Sequence, residues 1–227
     1  MKLSKRIQNL PAYAFATVDQ AVADLKARDI DVIDFGVGDH TIETPSLVRD
    51  RAKVAVDEFR ASGYPSYVGS AAYREAVATW TQQRFGVELD PATEISKEGV
   101  FNLPLAFLDP GDGVIVPSPG YPPYTRGTVF AGGVPYYTPV SEQTGFLIDF
   151  DRIPEEVASG SRLLWVCYPN SPTGKQAPLS FFEEALAFCR QHEILLVSDE
   201  AYTEIYFDDN NRPPSALQAG KEGVLVV

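Results

Sequence analysis

Apolar residues follow two different patterns along this chain. In some segments they recur every three to four positions, as Val18, Val22 and Leu25 do, and this spacing is typical of one face of an α-helix. Elsewhere they form short uninterrupted runs bounded by turn residues, as in residues 194–198 (ILLVS), which is typical of a strand buried on both faces. The patterns predict helices over residues 16–29, 44–61, 70–86, 96–108, 124–132, 151–159 and 180–192, and strands over residues 31–39, 113–117, 134–140, 162–168, 194–198 and 223–227.

Capping signals support three of these helices. Thr44 followed by proline predicts the start of helix 44–61. Helix 70–86 begins at a serine and ends at a glycine. Ser180 and Glu183 have the spacing of a capping box, in which each residue bonds the backbone of the other.

From residue 113 onward, the predicted strands and helices alternate. This order predicts an α/β fold with a doubly wound, mostly parallel sheet. Ligands of such sheets bind beyond the carboxyl ends of the strands. We therefore expect a site where three loops meet, and these read SPGYPPY, PNSPTGK and DEAYTEIYF.

Composition narrows the classes of protein that fit. The chain has 227 residues and a formal net charge of −12, which argues against nucleic acid and anionic membrane as partners. No apolar run approaches the ~18 residues of a membrane span, and the amino-terminal sequence does not have the pattern of a signal peptide. Cys167 and Cys189 lie in apolar contexts, so we expect reduced, buried thiols in a cytoplasmic protein. His40 and His192 are isolated in the sequence and predict no metal site.

Eight segments resemble, in order, those of the fold-type I pyridoxal-phosphate (PLP) dependent aminotransferases of class I/II. They read RIQNLPAYAF, DFGVGD, YPSYVGSAAYREAV, SKEGVFNLPLAFLDPGD, PSPGYPPY, AGG, YPNSPTG and SDEAY. Within that family the chain looks most like the LL-diaminopimelate aminotransferase group. The resemblance implies PLP as cofactor, an amino acid and a 2-oxo acid as substrates, and a homodimer. It also implies that residues 1–43 form an arm and part of the small domain, and that residues 44–227 form an incomplete PLP-binding large domain.

The resemblance assigns roles around the pyridine ring of the cofactor. Asp199 would face the ring nitrogen, because a protonated nitrogen makes the ring an electron sink. Tyr202 would point its hydroxyl at the phenolic oxygen, and Tyr121 would stack on the ring. Without the resemblance, Asp199 could simply cap a helix. Tyr124 is a weaker stacking candidate or a core residue, and Glu200 is a structural or solvated neighbour.

Other roles concern the phosphate and the substrate. Ser96 and Lys97 match a phosphate-binding turn at a helix start, where backbone N–H groups face an anion. Tyr64 matches a tyrosine that reaches the phosphate of the neighbouring subunit, which would place the site at a dimer interface. Gly38 matches a glycine near the substrate carboxylate, although a simple turn explains it nearly as well.

The sequence departs from the family pattern in three places. The segment DPATEISKEG lacks the short strand and the glycine that relatives carry before Ser96. The family's usual asparagine before Pro-Thr-Gly is Ser171 here, so either Ser171 or Asn170 would donate to the phenolic oxygen. None of the seven lysines matches the Schiff-base position, which is expected shortly after strand 223–227.

Two functional hypotheses follow. The first is an aminotransferase represented by its N-terminal portion, and the second is a non-catalytic remnant or PLP-binding fragment. A flavodoxin-like or dinucleotide-binding module has no support, because no G-x-G-x-x-G or Walker loop opens a helix after a strand.

Overall fold

A computed structural model describes residue 8 and residues 14–34, 42–64, 66, 68–96 and 99–227. The chain divides into two compact units, Met1–Pro65 and Ser66–Val227. The division does not test the boundary predicted between residues 43 and 44, which stays a prediction.

The unit Met1–Pro65 contains two described helices of more than one turn. They are α1 (Ala14–Lys26) and α2 (Ser46–Glu58), which confirm the helices predicted over 16–29 and 44–61. The expected threonine cap is wrong, because Pro45 occupies the cap position of α2 and no side chain bonds the helix end. Residues 31–34 of the predicted strand 31–39 are not in a strand, and its remainder, with Gly38, lies outside the described residues.

The unit Ser66–Val227 is built on a sheet of five parallel strands within the described residues. The strands are β1 (Gly113–Ser118), β2 (Val134–Pro139), β3 (Ser161–Cys167), β4 (Leu195–Asp199) and β5 (Val224–Val226), and their order is β2-β1-β3-β4-β5. Every neighbouring pair is parallel, which confirms the predicted fold class. The strands predicted from residue 113 onward are confirmed to within one or two residues at each end.

The helices of this unit follow the predicted alternation. They are α3 (Ala71–Phe85), α4 (Leu103–Phe107), α5 (Pro122–Ala131), α6 (Glu155–Ser159) and α7 (Leu179–Gln191), with 3₁₀ turns at Glu142–Thr144, Phe150–Arg152, Asp209–Asn211 and Ala216–Gln218. Among the described helices, none has both the length and the apolar composition that crossing a bilayer requires.

Two helix predictions need correction. The helix predicted over 96–108 is confined to α4, where Pro104 occupies the first turn and so permits a start but not a continuation from earlier residues. The capping box predicted at Ser180 is also wrong, because α7 begins one residue earlier with Pro178 at its cap and no side chain bonds that end.

Helices cover both faces of the sheet. On one face Leu196 of β4 belongs to the same buried cluster as Phe182 of α7. On the other face Val197 belongs to a second cluster with Tyr124 of α5. Consecutive residues of β4 therefore enter different cores, which explains why the strand has no polar alternation.

Candidate cofactor site

Three strands end side by side at one edge of the sheet. β1 ends at Ser118, β3 at Cys167 and β4 at Asp199, and Cys167 pairs directly with Asp199 in the parallel register. β3 lies between β1 and β4. The loops expected to hold the site therefore leave the sheet at its carboxyl edge from adjacent positions.

The carboxylate of Asp199 is buried and held from two sides. The Tyr124 hydroxyl donates to Oδ2 over 2.6 Å, and the backbone N–H of Ala201 donates to Oδ1 over 3.3 Å. Asp199 is only 7% exposed. Fixed donors on both oxygens leave the carboxylate little rotational freedom, which suits a group that must meet one atom of a ligand.

Tyr124 contacts the Asp199 carboxylate directly, although the sequence interpretation ranked it below Tyr121. Its ring stacks on Trp165, with centroids 4.5 Å apart and planes 12° apart, and its hydroxyl reaches Asp199. The available signal was its position three residues after Tyr121, which caps α5 and whose ring contacts that of Tyr124. That spacing could not reveal which polar group the hydroxyl would meet.

The groups around the carboxylate are neutral donors. Burial, with the proximity of Cys167 and Asp199, raises the pKa of the Tyr124 phenol far above its ordinary value. Burial likewise raises the pKa of the Cys167 thiol, whose Sγ donates to the carbonyl of Pro169. Tyr124 therefore stays protonated and remains a hydrogen-bond donor throughout the physiological range.

Tyr121 contacts the ring of Tyr124, and Tyr202 follows Asp199 closely in the chain. The ring of Tyr121 contacts that of Tyr124, with centroids 5.6 Å apart and planes 79° apart. Tyr202 lies in the turn that follows Asp199, three residues on. Both tyrosines are partly exposed, so each has ring surface available to a ligand.

Asn170 carries an unsatisfied donor. Its side chain is 3% exposed, and Oδ1 accepts from the hydroxyl of Thr173 at 2.8 Å and from its backbone N–H at 3.3 Å. Among the described residues, the buried Nδ2 atom has no hydrogen-bond partner. Ser171, the alternative donor, is partly exposed. A buried donor without a partner costs free energy and so suits a group that binds a ligand.

These side chains fit the ring of PLP. A fixed carboxylate can accept from a protonated ring nitrogen, an orphaned amide or a serine hydroxyl can donate to the phenolic oxygen, and a partly exposed tyrosine can cover a ring face. Two observations support this fit: the buried Nδ2 atom of Asn170 has no hydrogen-bond partner within the described residues, and the carboxylate of Asp199 is buried.

Four further residues were assigned to the phosphate and the substrate, namely Ser96, Lys97, Gly38 and Tyr64. Ser96 is exposed and precedes α4, which starts only at Leu103, so Ser96 is not at a helix start as predicted. Lys97 and Gly38 lie outside the described residues. Tyr64 belongs to the unit Met1–Pro65 and its side chain is fully exposed. Their roles stay predictions.

The segment before Ser96 is an ordered turn. Residues 87–96 form no strand. The Asp90 carboxylate accepts from the N–H of Ala92 at 2.8 Å and the hydroxyl of Thr93 at 2.7 Å, and the Lys221 ammonium donates to both Glu94 oxygens at 2.9 and 3.0 Å. The Lys221 bonds attach this segment to the residues that precede β5.

Comparison with known proteins identifies the family. Residues 30–227 match the family model "Aminotransferase class I and II". This match covers most of the chain, which therefore belongs to the class I and II aminotransferases. Family membership confirms the resemblance and the expectation that the cofactor is PLP.

Individual relatives show which members of the family this chain resembles. The chain is 45% identical over 221 residues to the LL-diaminopimelate aminotransferase of Nitratidesulfovibrio vulgaris, and 46% identical over 220 residues to that of Desulforudis audaxviator. These matches cover 95% of this chain but 57% and 56% of the relatives. The chain thus spans somewhat more than half of their length.

Solved structures agree with this assignment. An aspartate aminotransferase of Thermus thermophilus matches with a TM-score of 0.91 and 29% identity, covering 100% of this chain and 59% of that one. BacF from Bacillus subtilis, in its apo form, matches with a TM-score of 0.87 and 31% identity, covering 98% and 58%. The described fold is thus that of an aminotransferase over the part that this chain spans.

Proposed function

We propose that this chain is the cofactor-binding portion of an aminotransferase that moves an amino group between an amino acid and a 2-oxo acid. The observation that carries the proposal is the carboxylate of Asp199, buried at the carboxyl edge of the sheet and held by Tyr124. Bound PLP supplies an electron sink and a carrier for the amino group. Family membership supports the class of reaction.

Each residue has one task in this proposal. Asp199 accepts a hydrogen bond from the ring nitrogen and keeps that nitrogen protonated. Tyr121 covers one ring face and excludes water from it, while Tyr202 and either Asn170 or Ser171 donate to the phenolic oxygen. Among these donors, Nδ2 of Asn170 is a buried atom without a hydrogen-bond partner within the described residues.

The phosphate and substrate roles extend the proposal beyond this group. Ser96 and Lys97 bind the phosphate, Gly38 lies near the substrate carboxylate, and Tyr64 reaches the phosphate of a neighbouring subunit in a homodimer. The fully exposed side chain of Tyr64 is compatible with a contact to a second copy. Cys167 and Cys189 are free and buried, which suits a reducing, cytoplasmic location.

LL-diaminopimelate is the first amino donor to test, because the relatives at 45% and 46% identity carry that substrate in their names. The experiment reads the gene beyond codon 227, expresses the complete reading frame, and measures the amino acid formed from LL-diaminopimelate and a 2-oxo acid with added PLP. Product formation that depends on PLP supports the proposal. A complete frame that binds PLP but transfers no amino group from any amino acid tested would contradict it.

A second candidate is cofactor binding without amino transfer. It requires only the ring-binding side chains, namely the buried carboxylate of Asp199 and the orphaned Nδ2 of Asn170. The same assay separates the candidates, because a complete frame with PLP affinity and no turnover supports the second candidate alone.

A further inference from the structure

Glu200 directly follows Asp199 and is buried. It is 9% exposed, although its place in a loop after a strand made a solvated side chain equally plausible. A buried carboxyl group requires an explanation, because its desolvation costs free energy. Burial raises the pKa of this carboxyl above its ordinary value, and hydrogen bonds oppose the shift.

The side chain of Glu200 connects two segments. Its Oε1 accepts from the Ser198 hydroxyl at 2.9 Å and from the backbone N–H of Ala216 at 2.8 Å. Ser215 and Ala216 are themselves fully buried at the start of the 3₁₀ turn Ala216–Gln218. The end of β4 is thereby fixed to a segment that lies sixteen residues further along the chain.

The backbone of Glu200 fixes two more neighbours. Its N–H donates to the carbonyl of Val227 at 2.9 Å, which extends the pairing of β4 with β5 past the end of β4. Its carbonyl accepts from the N–H of Thr203 at 3.2 Å and from the hydroxyl of Thr203 at 3.1 Å. These two bonds close the turn that contains Tyr202.

Asp199 depends on the same turn. Its Oδ1 accepts from the N–H of Ala201. The orientation of the carboxylate therefore depends on the peptide bond between Glu200 and Ala201. Side chains of successive residues leave a strand on opposite faces. Glu200 reaches the Ser198 hydroxyl, whereas Asp199 bonds Tyr124. Glu200 thus holds the turn through Ser198 and Ala216, whereas Asp199 is held by Tyr124.

We propose that Glu200 is a positioning residue, which holds Asp199 and Tyr202 in their relative places by fixing the turn between them to residues 215–216. The inference rests on the proposed function only in naming PLP as the ligand of that site. In this proposal Glu200 acts through Asp199 and Tyr202.

The first test is made on the chain without cofactor. NMR spectra compare the wild type with Glu200→Ala, Glu200→Gln and the exposed control Glu183→Ala. We expect Glu200→Ala to shift the Ala201 amide and the Asp199 carboxyl carbon. We expect Glu200→Gln to stay close to the wild type, because its amide oxygen still accepts from Ser198 and Ala216. A folded Glu200→Ala variant in which only residues 198 and 215–216 shift would reduce Glu200 to a structural role and overturn the inference.

A second variant is used if Glu200→Ala does not fold. Glu200→Asp keeps the charge, but its shorter side chain does not reach both the Ser198 hydroxyl and the Ala216 N–H. The same shifts are expected at Ala201 and Asp199. Their absence in a folded Glu200→Asp variant, together with altered Ser198 and Ala216 signals, would again overturn the inference.

Equilibrium dialysis then tests whether the position of Asp199 and Tyr202 affects the affinity for PLP. We expect the alanine or aspartate variant to bind PLP at least about tenfold more weakly, and Glu200→Gln to bind within about threefold of the wild type. Unchanged affinity in the alanine variant would overturn the inference. If the wild-type chain does not bind PLP at all, the proposed function fails, while the NMR comparison still decides the role of Glu200.

Discussion

The phenol of Tyr124 donates a 2.6 Å hydrogen bond to the carboxylate of Asp199 and joins the helix after β1 to the end of β4. The two residues are 75 positions apart in the sequence. The bond therefore forms only when β1, β3 and β4 are assembled in the observed order. It couples the proposed site directly to the integrity of the sheet.

Replacing Tyr124 with phenylalanine tests this coupling. The ring would still stack on Trp165, but Oδ2 of Asp199 would lose its donor in a buried place. We expect the free energy of unfolding to fall by about 1–3 kcal/mol in urea titrations. Tyr137→Phe on β2 is the control, because that side chain is half exposed. Equal stability of the two variants would show that the hydrogen bond contributes little.

Gly120 tests the geometry of the loop that presents Tyr121. A Cβ atom at this position would lie 2.4 Å from the carbonyl oxygen of Pro117, a backbone atom that cannot move aside without shifting the end of β1. We expect Gly120→Ala to cost about 1–3 kcal/mol of unfolding free energy. Gly63→Ala is the control, since nothing lies within 4 Å of a Cβ atom there. A Gly120→Ala variant as stable as the control would contradict the described loop.

Glu200 predicts a pH dependence of stability. Burial raises its pKa in the folded chain above the ordinary value of 4.5, and the nearby charge of Asp199 acts in the same direction. At pH values between 4.5 and the raised pKa, the folded state therefore binds more protons than the unfolded state. The stabilising contribution is present at low pH and is lost as the pH rises through the raised pKa.

The measurement compares the wild type with Glu200→Gln across that window. Other carboxyl groups titrate in both proteins, so the difference in unfolding free energy isolates Glu200. We expect the wild type to lose stability relative to the glutamine variant as the pH rises. A difference that stays flat or changes in the opposite direction would show that the carboxyl is not held in a desolvated place.

The sheet was predictable because its strands are short apolar runs bounded by turn residues. The runs that became β3 and β4 are apolar throughout and are separated by a predicted helix, which indicates buried parallel strands. Parallel pairing then places the strand ends, Cys167 and Asp199, at the same edge of the sheet. The helix predicted over 96–108 failed because apolar spacing was weighed above Gly99 and Pro104, and the described helix is confined to Leu103–Phe107.

The polar connections of the site were not predictable from spacing. From the sequence, Tyr124 could equally be an aromatic residue of the core. The hydrogen-bond partner of its hydroxyl depends on how α5 packs on β3 and β4. From the sequence, Glu200 could be either a solvated or a structural acid, and the bond from the Ala216 N–H decides between them. Such contacts depend on tertiary packing between distant segments, which local pattern does not encode.

Asp199→Asn gives the most direct test of the site. Asparagine keeps the size of the side chain and an oxygen for the Tyr124 bond, but it has no charge to hold a proton on the cofactor ring. PLP affinity is measured by equilibrium dialysis for the wild type, Asp199→Asn and the exposed control Asp151→Asn. We expect the wild type and the control to bind alike, and Asp199→Asn to bind at least about tenfold more weakly. Equal PLP affinity of all three proteins would contradict a cofactor site built around Asp199.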